Sequence, residues 1–325
     1  MKLPRRRFLH LAAGAAALPA LPRIAKAQAY PTRPVRIIIP TAAGGSNDIL
    51  MRLIGQRLAE RLGQPFIIEN RPGGGTNVAT ELVVRAPPDG YTLLSAGPGS
   101  AINATLYDKL NFNFLRDIAP VAGVMRVSNV VVVHPTFPAK TLPEFIAYAK
   151  ANPGKISMAS AGIGTAPHVA GELFKMMTGI DLVHVPYRGA ASAQTDLIGG
   201  QVQVFFSITA AAIEYIRAGT LRALAVTTVK RSEALPDIPT VSEFVPGYEA
   251  SAWFGLGAPK ATPSKNIDTL NSEINSALVD PQMNARIAEL GGTSLPGSPA
   301  DFGKLLTDET EKWAKVIKFA GIKPI

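Results

Sequence analysis

In the stretch VRIIIPTAAGGSNDILMRLIGQRLAERLG, residues 35–63, an apolar strand runs through a small-residue loop into an amphipathic helix. Val35–Pro40 is β-branched and almost continuously apolar, as a strand buried on both faces must be. Ile49, Leu50, Leu53, Ile54, Leu58 and Leu62 then recur at spacings of three and four, the period of one helix face, and Gly63 is a helix-stop signal. Residues 155–179, KISMASAGIGTAPHVAGELFKMMTG, repeat the layout: strand, Gly/Ala/Thr loop, helix stripe Val169, Leu173, Met176 and Met177, and closing Gly179. Two such units over a hundred residues apart suit two similar domains facing each other across a cleft.

The loops have a direct physical use. The first-turn N–H groups of a helix lack intrahelical acceptors, and with the helix dipole they favour an anion. Small residues let a ligand approach the backbone. Gly44, Gly45, Ser46 and Asp48 fit this role in the first loop, and Gly162, Gly164, Thr165 and Pro167 in the second. A single loop of this kind is equally explained as a tight strand-to-helix turn, where Gly, Ser and Thr serve only as caps. Two matching loops weigh towards binding.

The same alternation continues along the chain. Strands are expected at Val35–Pro40, Phe66–Asn70, Tyr91–Ala96, Asn129–His134, Ile156–Ser160, Leu182–Tyr187, Val202–Ser207, Leu221–Thr227 and Trp253–Ala258. Leu142, Phe145, Ile146 and Ala149 form another helical stripe, with Thr141 as its N-cap, and the tail from Ser264 to Ile325 reads mostly as helix. The pattern predicts an α/β protein with parallel sheets covered on both faces.

The N-terminus, MKLPRRRFLHLAAGAAALPALPRIAKAQA, has the layout of a cleaved export signal: basic start, alanine-rich apolar stretch, and small-x-small sites ending at Ala27 and Ala29. Arg5-Arg6-Arg7-Phe8-Leu9 matches a twin-arginine address. Of the 325 residues and formal charge of +9, the first 29 residues carry six basic side chains and no acid. The remainder has a charge of +3 and no dense basic run, which argues against a nucleic-acid partner. With no cysteine in an exported chain, stability must come from core burial. No later apolar run is long enough to span a membrane.

Other chemistries find little support. Gly162-Ile163-Gly164-Thr165-Ala166-Pro167 lacks the third glycine of a dinucleotide fingerprint, and Asp181 precedes the next strand instead of ending it. Gly73-Gly74-Gly75 before a helical stretch is weak evidence alone. There is no phosphate-loop motif, no metal-spaced histidine pair and no nucleophile elbow. His168 lies just beyond the second loop without a visible catalytic partner, so neither catalysis nor a metal or other cofactor is expected.

The order of several motifs resembles the periplasmic solute receptors of tripartite tricarboxylate transporters, the Bug or TctC-like proteins. The resemblance rests on Tyr30-Pro31-Thr32-Arg33-Pro34, Glu69-Asn70-Arg71-Pro72-Gly73, Ala86-Pro87-Pro88-Asp89-Gly90-Tyr91-Thr92-Leu93, Ser160-Ala161-Gly162-Ile163-Gly164-Thr165 with His168, Val185-Pro186-Tyr187-Arg188-Gly189, Gly199-Gly200-Gln201-Val202, Leu221-Arg222-Ala223-Leu224-Ala225 and Trp253-Phe254-Gly255-Leu256. It implies a two-domain Venus flytrap of the type II kind, each domain a mostly parallel sheet flanked by helices. Domain 1 would combine residues 30–127 and 252–325, and domain 2 residues 128–251. The ligand would be a small organic acid, gripped without chemistry by Thr41, Ala42, Ala43, Gly44, Gly45, Ser46 and Asp48 on one side. On the other side would stand Ser160, Ala161, Gly162, Gly164, Thr165 and His168, with Tyr187, Arg188 and Gly189 nearby. Arg188 could pair with a ligand carboxylate or form a surface or interdomain salt bridge; Tyr187 could line the cleft or end a strand. Trp253 stays outside the site. The resemblance further implies a periplasmic monomer that delivers its ligand to membrane permease subunits. Thr41 stands where the family commonly has a bulky aromatic, which bears on ligand size. An exported hydrolase-like enzyme using a Ser or Thr near His168, and a receptor for a signalling partner, are the alternatives.

Overall fold

The computed structural model describes residues 30–323. The export-signal reading, on residues 1–29, lies outside the described residues.

The chain first lays down β1 (Val35–Ile39), α1 (Ser46–Leu62), β2 (Phe66–Asn70), α2 (Asn77–Val84), β3 (Thr92–Ala96), α3 (Pro98–Leu106), the short α4 (Phe114–Asp117) and β4 (Ile118–Val127). It then crosses, through Ser128, into a second sheet. There it forms β5 (Asn129–Val133), α5 (Leu142–Ala151), β6 (Ser157–Ser160), α6 (Ala166–Thr178), β7 (Val183–Pro186), α7 (Ala190–Ile198), β8 (Val204–Ile208), α8 (Thr209–Arg217) and β9 (Arg222–Val226). It returns to the first sheet with β10 (Ala252–Pro259), α9 (Ser264–Leu278), α10 (Pro281–Glu289), β11 (Gly292–Ser294) and α11 (Pro299–Phe319). The sheet orders are β11-β4-β10-β3-β1-β2 and β7-β6-β8-β5-β9.

The result is a two-domain α/β fold, with both sheets mixed. β1 pairs in parallel with β2 and β3, but β10 is antiparallel to both β3 and β4. In the second sheet β6 is parallel to β7 and β8, and β5 is antiparallel to β8 and β9. The reversed strands have one cause. β5 and β10 each arrive from the other domain, so no right-handed helical crossover within their own sheet fixes their direction.

Packing follows the pleat. Ile37 and Ile39 face a core shared with Leu50, Ile54 and Leu58 of α1 and Leu270 and Ile274 of α9. Ile38 faces the opposite core, with Ala79 and Val83 of α2, Ile102 of α3, and Phe302 and Trp313 of α11. All three isoleucines are fully buried, each stabilising the fold by about 2 kcal/mol. Both α1 and α6 stop at the expected glycines: Gly63 (φ 71°) donates its N–H to the Ala59 carbonyl and Gly179 (φ 69°) to that of Lys175. Thr141 caps α5 as expected, accepting from the Glu144 N–H.

Two strands escape the sequence pattern. β4, IAPVAGVMRV, contains Pro120 and Gly123, which read as loop. Pro120 sits beside a register shift against β10, where a missing N–H is tolerated, and a side chain at Gly123 would collide with the Leu295 carbonyl, 2.9 Å from its Cβ position. β11 is a three-residue edge strand in the tail expected to be helical. The two crossings lie side by side and are knotted together. Ala252 pairs with Val127, the Thr227 hydroxyl donates to the carbonyls of Asn129 and Ala250, and the Asn129 amide also donates to Ala250.

Candidate functional site

The register relations put one set of strand ends together. In the first sheet β1, β2, β3 and β4 all run with their carboxyl ends towards the crossing, where β10 begins. In the second, the carboxyl ends of β6, β7, β8 and β9 meet the start of β5. Open α/β sheets bind ligands at this edge. Six helices start there: α1, α2, α3, α6, α7 and α8. None of the six has a side-chain N-cap. Side-chain caps instead occur elsewhere, at Asn113, Thr141, Asp280 and Ser298. The capping explanation for the glycine loops therefore fails, and the helix ends they precede keep free donors.

The first loop, Thr41 to Gly45, is exposed. Its shape is held by Asp48, which is buried and has no capacity left for a ligand. One carboxylate oxygen accepts from the Gly44 N–H (3.0 Å) and the Arg52 Nε, the other from Arg52 Nη2 and Asn70 Nδ2. The Arg52 guanidinium foremost, then Gly44 and Asn70, hold this carboxyl at about 2 against the opposing effect of burial. Asn70 also donates to the Thr41 carbonyl. Gly44 has φ 86°, a conformation its lack of Cβ permits. Ala42, Ala43 and Gly45 complete the exposed rim, with Ser46 half-buried behind them.

The second loop is built on the same plan. Gly164 (φ 74°) donates its N–H to His168 Nδ1 at 3.0 Å, as Gly44 does to Asp48, each glycine four residues before its acceptor. His168 must then carry its proton on Nε2, which faces Glu172 Oε1 at 3.8 Å. Burial, with His184 and Lys175 nearby, pushes its pKa down to about 3. His184 stacks on it at 3.7 Å, and its Nε2 lies 2.6 Å from the Ser160 hydroxyl. Ser160 Oγ also accepts from the Gly162 N–H, and Thr165 Oγ1 donates to the Gly162 carbonyl. Ser160, Thr165 and His168 thus shape the loop and occupy the N–H groups of Gly162 and Gly164, while Ala161, Gly162 and Gly164 are only half-buried.

Ser160 and His184 are at hydrogen-bond distance, in a buried and stacked setting. Ser160 is 0 % exposed, and His184 stacks on a second imidazole, with no hydrogen bond from its Nδ1 to a carboxylate among the described residues. Burial holds its pKa down at about 4. Nor is any group of three or more His, Asp or Glu placed to hold a metal among the described residues.

The remaining expected residues divide. The Tyr187 hydroxyl donates to Asp196 Oδ2 at 2.7 Å, and burial together with that carboxylate raises its pKa to about 12. Arg188 is exposed and makes no ion pair among the described residues, beside Gly189 at the start of α7. The two loops are not equally enclosed. A Cβ on Gly164 would collide with Leu106 and lie 3.9 Å from Ile102, so the second loop bears directly on α3 of the other domain.

That contact points to residues the sequence reading passed over. Gly97-Pro98-Gly99-Ser100 is a third strand–loop–helix turn, at the end of β3, and its small-residue composition was the available signal. The Ser100 hydroxyl is buried and has no hydrogen-bond partner among the described residues. At the end of β2, Gly73, Gly74, Gly75 and Thr76 all have positive φ, and Thr76 is the sole non-glycine residue so strained among those described.

A family model, "Tripartite tricarboxylate transporter family receptor", matches residues 50–322. Among solved structures, the chain is similar to Rpa4515 of R. palustris, solved with adipate: 36% identity, TM-score 0.79, 91% of this chain and 100% of that one covered. It is similar to the periplasmic binding protein BugD at 34% identity and TM-score 0.75, over 91% and 100% of the two chains. MatC of Rhodopseudomonas palustris, with bound malate, shares 31% identity at TM-score 0.74, over 89% and 100%.

Proposed function

The chain belongs to the tripartite tricarboxylate transporter family of receptors, whose members are periplasmic binding proteins, and from that premise we propose that it captures a short dicarboxylate between its two domains. The supporting observation is the matched pair of loops: each presents an uncapped helix end and is locked by a glycine N–H bonded to a side chain four residues on. The adipate and malate bound by its relatives favour this ligand class.

Domain 1 comprises residues 30–127 and 252–325, and domain 2 residues 128–251, joined at the knotted crossings. The backbone N–H groups of Ala42, Ala43, Gly45 and Ser46 on one side and of Ala161 and Ile163 on the other grip carboxylate oxygens, Arg188 supplies a positive charge, and Thr41 and Ser100 read the rest of the ligand. Asp48, Ser160 and His168 position these loops. Closure buries the ligand without covalent chemistry, and the monomeric closed form docks to a membrane permease. Export removes the signal near Ala27 or Ala29.

The test is calorimetric titration of residues 30–325 with malate, adipate, citrate and monocarboxylates. Saturable one-to-one binding, weakened at least about tenfold when Arg188 becomes Ala, supports the reading (about 1.4 kcal/mol). No binding across the panel, or turnover of a bound compound, overturns it.

A further inference from the structure

We propose that a cavity of about 680 Å³ on the far side of the crossings is a second small-molecule site, for a zwitterion with an apolar side group, the chemistry of an apolar α-amino acid. One wall is the turn from α10 into β11, with Ala288 and Gly291 to Thr293; the other is the run Thr228 to Ala234 after β9. The floor is Arg126, Ser128 and Glu249, beside the two crossings. β11 and β9 are the outermost strands of their sheets, on the flank away from β1 and β6. At roughly 4.8 Å per strand, four strand steps in one sheet and three in the other separate this cavity from the carboxylate loops by about 14–19 Å.

Its charges select the occupant. Arg126 is paired with Glu249 at 2.7 Å, and Arg231 with Glu243 at 2.9 Å. Lys230 and Glu233 make no ion pair among the described residues, so the lining offers one cation and one anion. A simple anion would meet Glu233 and a simple cation would meet Lys230, whereas a zwitterion answers both. Val229, 68% exposed, with Ala234 and Ala288 gives an apolar surface for a side group. The volume is in the range of small-metabolite sites, about 300–1,000 Å³. The walls come from different domains, and the domains touch beside the cavity, where a Cβ on Gly291 would lie 2.6 Å from that of Ala210 in α8. An occupant contacting both walls favours one interdomain angle, and so couples reciprocally to the cleft.

The floor carries its own reporter. Lys312 bonds both Glu249 and Glu309, and Glu309 accepts the indole N–H groups of Trp253 and Trp313, the only two tryptophans. Titration of residues 30–325 with L-leucine is expected to change tryptophan fluorescence saturably. The two halves of that molecule, 4-methylpentanoate and 3-methylbutylamine, should bind at least about tenfold more weakly, as should L-leucine to Lys230→Ala or Glu233→Ala (about 1.4 kcal/mol each). Arg188→Ala, which weakens the carboxylate cleft without altering the contact between the domains, should leave the response intact. No saturable response to L-leucine, L-methionine or L-phenylalanine by fluorescence and calorimetry overturns the proposal. So does a response weakened at least about tenfold by Arg188→Ala and indifferent to Lys230 and Glu233, which would assign it to the cleft.

Discussion

Asp48 and His168 hold equivalent positions with different chemistry, one an ionised carboxylate and the other a neutral imidazole, and pH separates them. Asp48 titrates at about 2 in the folded protein against about 4 unfolded, so its contribution is full above pH 4 and is lost as pH falls towards 2. That is worth at most roughly 2 kcal/mol, discounted because Arg52 is half exposed. Asp48→Ala should cost about 2–3 kcal/mol in denaturant melts at pH 7, since it strands the Gly44 N–H and frees Arg52, with Asp48→Asn milder. The histidines act in a higher window. His168 and His184 titrate at about 3 and 4 folded but near 6.5 unfolded, so the unfolded chain binds more protons as pH falls from 6.5. Stability should drop between pH 6.5 and 4.5 by at most about 2.7 kcal/mol per pH unit for the pair, and about half as steeply in His168→Ala. A flat wild-type profile would contradict the buried neutral pair. In the sequence, the glycines declared both loops, but nothing in the spacing revealed that Asp48, Ser160 and His168 are already bonded. His184, twenty-four residues from Ser160, is brought to it only by the parallel pairing of β6 and β7.

Elements were legible where one local signal decided them. Gly63 and Gly179, free of a Cβ, ended helices at positive φ, and the Thr141 hydroxyl began one. β4 was not, because Pro120 and Gly123 satisfy contacts made by β10 and Leu295, distant in sequence. The same limit hid α3 as a site element, and α3 yields two predictions. Ser100→Ala removes a buried hydroxyl without a partner, so melting should be unchanged or up to about 1 kcal/mol more stable, while ligand affinity falls. A gain in stability with unchanged affinity would remove Ser100 from the site. Gly164→Ala puts a Cβ against Leu106 and at φ 74°, and should weaken ligand binding at least about tenfold. Leu106→Ala in the same protein should restore part of that loss, because it removes the collision but not the backbone strain.

At the scale of the whole molecule, the sequence pattern conveyed two similar α/β units. It did not convey β5 and β10 running against their neighbours, because strand direction there is set by chain crossings and not by any residue period. Those crossings make closure the central claim. The natural chain has no cysteine, so spin labels can be placed on Gln56→Cys in α1 and Thr195→Cys in α7, both exposed and one on each domain. The decisive measurement is the distance between the two labels by pulsed electron resonance, without ligand and with a saturating amount of the carboxylate that titrates in calorimetry. A clamp predicts a shorter, narrower distance distribution on binding; superimposable distributions at saturation would contradict it.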